Sequence, residues 1–178
     1  MFDLNYFNYC FLKPSGLEFN EVLLQNDFER FADDLLECDS DTFLYRDFNA
    51  RNVMISGDVP YFIDFQGGRR GPVYYDVASF VWQARAEYPE ELQKRMVESY
   101  LGALSGYMTV SREEFNSRLR LFILFRLMQA MGAYGFRGWS EHKAKFVASI
   151  PAALKSLENL LGEPFEDYPY LMETLKKM

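Results

Sequence analysis

Cysteine and histidine are scarce in this chain, which has two cysteines and one histidine in 178 residues. Cys10 and Cys38 lie outside any metal-ligand spacing and beside apolar residues, so we expect buried free thiols of a reducing compartment. His142 stands in a charged segment, residues 141–145, which is typical of a solvated helix start. The sequence therefore indicates neither a zinc site nor a thiol nucleophile.

An excess of positive charge and a long apolar run are also missing. The net charge is −7 and the isoelectric point is near 4.8, so nucleic acid and anionic membranes would be repelled at long range. No stretch approaches the roughly 18 uncharged apolar residues that a membrane span needs, and no secretory leader pattern is present. We therefore expect a cytoplasmic protein without a nucleic-acid or membrane partner.

Aromatic residues, in contrast, are abundant, with 17 Phe, 12 Tyr and 2 Trp. Rings bury large areas, so either the core is thick or one face is covered by a partner. The length and the hydrophobic content of 49% suit a single globular domain over residues 1–178.

Apolar periodicity predicts a mainly helical α+β chain with one small hairpin. The helix near residue 26 is expected to begin at a capping box formed by Asn26 and Glu29. The predicted helices cover residues 2–12, 26–37, 76–86, 89–105, 113–133, 141–149 and 151–161.

The hairpin is predicted over residues 53–65, where the apolar runs VMIS and YFIDF flank the turn segment GDVP. With a four-residue loop, Val53 would face Asp64 and Asn52 would face Phe65. Asn52 and Asp64 would then lie at the same open end of the hairpin, close enough to share one cation.

Residues 45–52 read YRDFNARN and place an aspartate five residues before an asparagine. In phosphoryl-transfer enzymes such an aspartate accepts the proton of the acceptor hydroxyl, the asparagine holds Mg²⁺, and a second aspartate after a strand holds the metal at the phosphates. Asp47, Asn52 and Asp64 fit these roles in order and spacing. A calcium loop beginning at Asp47 is excluded, because Asn52 replaces the required glycine.

Together with IDF at 63–65 and YDVA at 75–78, this motif resembles the aminoglycoside phosphotransferase and choline kinase family. Within it, the motif is most similar to bacterial sugar kinases that act on N-acetylmuramate or N-acetylglucosamine. The resemblance implies a protein-kinase-like C-terminal helical lobe. The parts of this lobe would be a catalytic loop at 45–52, a metal-binding hairpin at 53–65 and helices over 74–178.

The resemblance also implies a role for each motif residue. Asp47 would be the catalytic base, Asn52 and Asp64 the Mg²⁺ ligands, and Asp76 a structural residue that supports the catalytic loop. Tyr45 takes the position of the usual histidine and shares that support. Only eleven residues separate Asp64 from Asp76, which favours a small-molecule kinase over a protein kinase.

The nucleotide lobe of such kinases has no counterpart here. The 46 residues before Asp47 contain one lysine, Lys13, and one glycine, Gly16, so a glycine-rich loop and a phosphate-gripping lysine have no candidates. We therefore expect the N-terminal lobe to be absent, and Mg²⁺ and ATP to bind the isolated chain weakly or not at all.

Two functional hypotheses stay open. The chain is the catalytic lobe of an ATP-dependent phosphotransferase for a hydroxyl of a sugar or amino sugar, with the nucleotide lobe supplied by a partner or by a longer enzyme. Alternatively, it is a noncatalytic binding module derived from such a kinase, acting through a partner or as a homo-oligomer. Arg69 and Arg70, in a glycine-rich loop, are either contacts for an anionic substrate or solvated loop charges.

Overall fold

The computed structural model describes residues 1–38 and 40–178. They form a mainly helical α+β chain, as the sequence predicts, but with two small antiparallel sheets where the sequence predicts one hairpin. The helices are α1 (Phe2–Phe7), α2 (Glu21–Leu36), α3 (Val73–Val81), α4 (Glu90–Leu104), α5 (Arg112–Gly135), α6 (Ala144–Val147), α7 (Ile150–Leu161) and α8 (Pro169–Leu175). The strands are β1 (Thr42–Leu44), β2 (Val53–Ser56), β3 (Val59–Phe62) and β4 (Arg69–Gly71). Within the described residues, no helix combines the length and the apolarity that crossing a bilayer demands.

The chain divides into two compact units. The first contains Met1–Glu37 and Leu124–Met178, and the second contains Cys38–Ile123. The predicted catalytic loop and hairpin both belong to the second unit. The single domain over 1–178 stays a prediction.

In the first unit, α2 begins upstream of its predicted start. Its N-cap is Asn20, whose Oδ1 accepts hydrogen bonds from the backbone N–H groups of Val22 and Leu23 at 3.0 and 3.2 Å. The predicted capping box of Asn26 and Glu29 lies inside the helix and is wrong. Starting earlier brings one more turn of the apolar stripe into the core. The buried apolar residues of the helix are Leu24, Phe28, Phe31 and Leu35.

The segments after α1 and α5 are both π-helical turns, Asn8–Leu12 and Phe136–Ser140, and they meet in the first unit. The rings of Phe11 and Trp139 lie 5.0 Å apart between centroids. A Cβ atom on Gly135 would lie 2.0 Å from the carbonyl oxygen of Cys10, so only glycine fits there. Cys10 is not in a disulfide and is half-buried rather than buried as predicted, and the same is true of Cys38.

Asp27 is a buried charged residue of α2, with 2% of its surface exposed. One of its carboxylate oxygens pairs with Arg30, and the other accepts a hydrogen bond from the backbone N–H of Leu171 at 2.8 Å. Leu171 lies in the first turn of α8, where backbone N–H groups have no partner inside the helix. The carboxylate therefore ties α8, which the sequence pattern does not predict, to α2.

In the second unit, β2 and β3 form the predicted hairpin with a tighter turn. Val53 lies opposite Phe62 rather than opposite Asp64, so the predicted register is wrong by two positions. The connection has two residues, and Gly57 adopts a φ of 60° that glycine tolerates without a steric penalty. Because side chains alternate with a period of two, this shift leaves every side chain on its predicted face and keeps Asn52 at the open end.

A second small sheet pairs β1 with β4. Leu44 lies opposite Arg69, and Thr42 lies opposite Gly71 and donates its hydroxyl to the Gly71 carbonyl at 2.6 Å. The glycine-rich loop predicted around Arg69 and Arg70 is therefore wrong in part, since Arg69–Gly71 form a strand.

Aromatic rings fill the helical part of the second unit. The ring of Tyr74 lies 5.5 Å from those of Phe115 and Phe122, between centroids. Tyr100 donates its hydroxyl to the carbonyl oxygen of Val73 at 2.5 Å, and burial raises the pKa of Tyr100 to about 12. These contacts connect α3 with α4 and α5 and fix the position of α3 against them.

Replacing Asp27 with alanine (Asp27→Ala) is expected to lower the free energy of unfolding by about 1–3 kcal/mol, because the Leu171 amide loses its acceptor and Arg30 loses its counter-charge. Urea unfolding followed by circular dichroism would measure it. Asp33→Ala removes an exposed carboxylate from the same helix and should change stability by less than about 0.5 kcal/mol. Equal losses in the two variants would contradict this role of Asp27.

Candidate active site

The predicted catalytic loop connects β1 to β2. It passes through Arg46, whose φ of 77° lies in the left-handed region that side-chain-bearing residues rarely adopt. It then closes with a 3₁₀ turn at Ala50–Asn52, which leads directly into β2. A non-glycine residue in this conformation needs support from its surroundings.

Asp76 provides this support. Its Oδ2 accepts a hydrogen bond from the backbone N–H of Tyr45 at 2.6 Å, and its Oδ1 accepts one from the N–H of Arg46 at 2.9 Å. Asp76 lies in the first turn of α3, where a negative charge is favoured by the helix dipole. One carboxylate therefore holds two consecutive peptide groups at the start of the loop.

The same face of α3 and the residues that follow it support the rest of the loop. Phe80, four residues after Asp76, stacks on Phe48 with ring centroids 4.8 Å apart. Gln83, three residues further, accepts a hydrogen bond from the backbone N–H of Ala50 at 3.0 Å. Positions four residues apart lie on one side of a helix, so one face of α3 contacts the beginning and middle of the loop, and Gln83, two residues after the end of α3, contacts its end.

Asp47, the predicted base, is held by three neighbouring side chains. Asn49 Nδ2 donates to Asp47 Oδ1 at 2.6 Å, and Arg51 donates to Oδ2 at 2.7 Å. Asn52 Nδ2 also reaches Oδ2, at 3.3 Å. The Asp47 side chain remains 44% exposed, so a small molecule in solution can reach it. The carboxylate is thus both oriented and accessible.

Asn52 is buried, with 4% of its surface exposed, and its amide nitrogen is bound within the loop. Nδ2 donates to the main-chain carbonyl of Asp47 at 2.8 Å. The carbonyl oxygen of the side chain, Oδ1, is therefore the atom available for a cation, and such oxygens suit Mg²⁺.

Asp64 follows β3 at the end of the hairpin where Asn52 lies. The backbone N–H of Ile63 donates to the main-chain carbonyl of Asn52 at 3.0 Å, which brings the two segments together. Asp64 adopts a φ of 70°, and Gln66 Nε2 donates to its Oδ1 at 2.9 Å. The residues that the structure describes contain no group of three His, Cys, Asp or Glu side chains that could hold a metal. One carboxylate and one amide oxygen are nevertheless a usual protein contribution to Mg²⁺, which takes its other ligands from water and phosphates.

Tyr45, the first residue of the loop, contacts the segment that follows β3. Its hydroxyl donates to the carbonyl oxygen of Ile63. Its ring contacts those of Phe48 and Phe65, with centroids 5.4 and 6.4 Å away. Burial raises the pKa of Tyr45 above its ordinary value, and the nearby carboxylates, that of Asp64 foremost, raise it further.

Arg69 and Arg70 lie in β4 rather than in a loop. Arg70 forms an ion pair with Asp41 at 3.0 Å, and both side chains are exposed. Screening by water makes such a surface pair weak. A contact of Arg69 or Arg70 with an anionic substrate stays a prediction.

Four residues that contact the catalytic loop or the Asp47 carboxylate are not identified by the sequence analysis: Asn49, Arg51, Phe80 and Gln83. The first two follow Asp47 by two and four residues, within reach of local side-chain pairing, so the spacing alone could have found them. Gln83 lies 33 residues from Ala50 along the chain, and no local pattern indicates that contact.

Comparison with known proteins gives three matches. A model of the phosphotransferase enzyme family matches residues 13–112. An N-acetylmuramate/N-acetylglucosamine kinase of Neisseria meningitidis serogroup B is 27% identical over 121 residues, which are 66% of this chain and 36% of that protein. A protein of the same name from Pseudomonas aeruginosa is 27% identical over 123 residues, which are 67% of this chain and 36% of that protein. The matched region spans about a third of the length of these relatives.

Removing the Asp76 carboxylate (Asp76→Ala) is expected to release the loop, because two charge-assisted hydrogen bonds are lost, each worth about 1.5–3 kcal/mol. The amide protons of Tyr45 and Arg46 should then exchange faster with solvent, as measured by NMR.

The matched control is Asp58→Ala, which removes an exposed carboxylate from the hairpin turn of the same unit and should leave both exchange rates unchanged. Retained protection of these two amides in Asp76→Ala would show that other contacts hold the loop.

Proposed function

Because this chain belongs to the phosphotransferase enzyme family, we propose that it carries the catalytic centre of a kinase. The reaction would transfer the γ-phosphoryl group of ATP to a hydroxyl of a small polar acceptor. The observation that carries the proposal is an oriented, accessible Asp47 beside Asn52, whose segment is hydrogen-bonded to the one that bears Asp64. The two matched relatives are named as kinases of N-acetylmuramate and N-acetylglucosamine, which supports a sugar or amino sugar as the acceptor.

Asp47 would act as the base. As the acceptor hydroxyl attacks the γ-phosphorus, its proton passes to the Asp47 carboxylate and a new O–P bond forms. The bond between the γ-phosphorus and the β–γ bridging oxygen breaks, and the electron pair leaves with ADP. Asn49 and Arg51 would keep the carboxylate in one orientation throughout, so that no reorganisation is needed when the proton arrives.

Asn52 and Asp64 would hold the metal. Their oxygen atoms are the hard ligands that Mg²⁺ prefers, and both lie at the same end of the hairpin. When bound, Mg²⁺ neutralises charge on the phosphates of ATP. Asp76 and Tyr45 would support this arrangement without touching substrate.

The residues that bind the nucleotide phosphates would come from outside this chain. The segment before Asp47 offers only Lys13 and Gly16, and Lys13 forms an ion pair with Glu21 at 2.8 Å. We infer that the chain is a protein-kinase-like C-terminal lobe acting in the cytoplasm, and that a second lobe, on a partner or on more of the same protein, completes the ATP site. In the isolated chain, ATP and Mg²⁺ would bind weakly.

A second candidate function is a noncatalytic interaction module. It is favoured by the exposure of the β2–β3 hairpin, on which apolar residues of both faces are more than half exposed. These residues are Met54, Ile55, Val59, Tyr61 and Phe62. An isolated two-stranded sheet is only marginally stable, and an exposed apolar patch of this kind usually has a partner. The partner would be another protein or a second copy of this chain.

Titration calorimetry with ATP and ADP in the presence of Mg²⁺ tests the catalytic proposal. We expect weak but saturable binding to the unmodified chain and at least about tenfold weaker binding to Asp64→Ala, because a metal ligand is lost. Asp58→Ala, an exposed carboxylate of the same hairpin, should bind normally.

Asp47→Asn separates binding from chemistry. It should bind nucleotide normally but lower any sugar phosphorylation by about 10²–10⁴-fold, since an amide cannot accept the proton. Phosphorylation that survives this substitution would contradict the role of Asp47, and nucleotide binding that Asp64→Ala leaves unchanged would contradict the metal site.

Sedimentation velocity at tens of micromolar tests the interaction module. Self-association through the hairpin should produce a concentration-dependent dimer or larger species, and Tyr61→Lys should restore the monomer by placing a charge on the apolar face. A strictly monomeric unmodified chain would leave self-association without support.

A further inference from the structure

A small cavity lies between α1 and α5 in the first unit. Its volume is about 280 Å³, the space that roughly nine water molecules take up in the liquid. This volume is close to the lower end of the range for small-molecule pockets, about 300–1,000 Å³. All the residues that line the cavity belong to the first unit, whereas the catalytic loop belongs to the second. The candidate active site therefore does not account for it.

Small residues of α5 leave this space open. At Gly132 the two helices come so close that an added Cβ atom would lie 3.1 Å from the backbone of Phe7. Ala130 and Ala133, on either side of Gly132 in the sequence, contribute only methyl groups to the cavity wall. The two helices are therefore in close contact at one point and leave a gap beside it.

Polar side chains form part of the wall. The side-chain oxygen of Gln129 accepts a hydrogen bond from the guanidinium of Arg126, and its Nε2 donates to Asp3 Oδ1 at 2.7 Å. All three side chains are half-buried. Charged groups between two helices usually stabilise a protein no better than apolar side chains of similar size. Stability alone therefore does not explain this network.

The network favours a neutral ligand that has both hydrogen-bond donors and acceptors. It contains one carboxylate and one guanidinium, which Gln129 connects, so the two charges offset each other. A carboxylate only accepts hydrogen bonds and a guanidinium only donates them. A sugar hydroxyl does both, so neighbouring hydroxyls of one sugar can bind Asp3 and Arg126 together.

Two aromatic rings of α1 complete the cavity. The rings of Phe2 and Tyr6 stack nearly in parallel, with centroids 6.5 Å apart and an angle of 6° between their planes. Phe2 is 81% exposed, so its ring is accessible to a ligand. The face of an aromatic ring carries partial negative charge and attracts C–H groups. A sugar ring presents such C–H groups on its faces and hydroxyls at its edge.

We propose that this cavity binds a single neutral sugar ring, with its hydroxyls on Asp3 and Arg126 and a C–H face on the rings of Phe2 and Tyr6. The inference goes beyond the proposed function, because it concerns the first unit and requires neither nucleotide nor metal. So small a contact surface suits an affinity in the millimolar range.

The test is a titration of the isotope-labelled chain with N-acetylglucosamine, followed by two-dimensional NMR. We expect saturable shifts, largest for the backbone amides of residues 2–7 and 126–133. Asp3→Asn keeps the shape of the side chain and should weaken binding about tenfold, because the ligand loses a hydrogen bond to a charged acceptor.

A second pair of variants tests the aromatic wall. Phe2→Ala should weaken binding about two- to tenfold, since the sugar loses a ring to stack on. The matched control is Leu36→Ala, which truncates an apolar side chain of the same unit that is 79% exposed, and it should leave the affinity unchanged. Because both side chains are largely exposed, neither variant is expected to alter the fold.

Filling the cavity gives a third test. Ala133→Leu places a larger side chain in the space and should abolish the shifts, whereas Ala103→Leu makes the same substitution at an exposed position of α4 and should bind normally.

Three results would overturn the inference. The first is the absence of shifts at tens of millimolar sugar, and the second is an affinity that Asp3→Asn, Phe2→Ala and Ala133→Leu all leave unchanged. The third is preferential binding of a zwitterion such as L-serine, which would contradict a site for a neutral sugar. The titration contains neither ATP nor Mg²⁺, so its failure leaves the proposed function of the second unit untouched.

Discussion

The hydrogen bonds from two consecutive peptide groups to the carboxylate of Asp76 are the interaction on which the candidate site depends. They hold Arg46 in a left-handed conformation, and that conformation turns the chain so that Asp47 points into the loop. A carboxylate is suited to this task because it offers two equivalent acceptors at a fixed spacing. Asp76 lies in the first turn of α3, where the helix dipole stabilises its negative charge.

The site consists of local clusters joined by a few long-range contacts, and this division decides what the sequence could predict. Asp47, Asn49, Arg51 and Asn52 lie within six residues, and the motif identified two of them. The supporting role of Asp76 could be assigned only from the resemblance of its motif to a known family, because 30 residues separate Asp76 from Arg46. The contacts of Gln83 and of the Tyr45 hydroxyl depend on how the chain folds back, and no local pattern encodes them.

The differences between the predicted and the observed fold have physical reasons of the same kind. Asn26 with Glu29 three residues later predicts a helix start at residue 26, but burial of Leu24 favours the cap at Asn20. The hairpin register was wrong because Pro60 was assigned to the turn, whereas it lies in β3. The pairing of β1 with β4 and the presence of α8 depend on distant partners. Long apolar helices such as α5, whose pattern is local, were predicted within a few residues of their observed ends.

The loop contacts on α3 also determine which kinds of sequence change the second unit can accept. Asp76 and Phe80 share one face of α3, and Gln83 follows two residues after the helix ends. Each of the three contacts a different part of the loop. An insertion of one residue between Asp76 and Phe80 would rotate everything after it by about 100° around the helix axis. The stack and the glutamine contact would be lost together while the carboxylate stayed in place. This stretch of the gene can therefore diverge by substitution on the opposite face, but hardly at all in length.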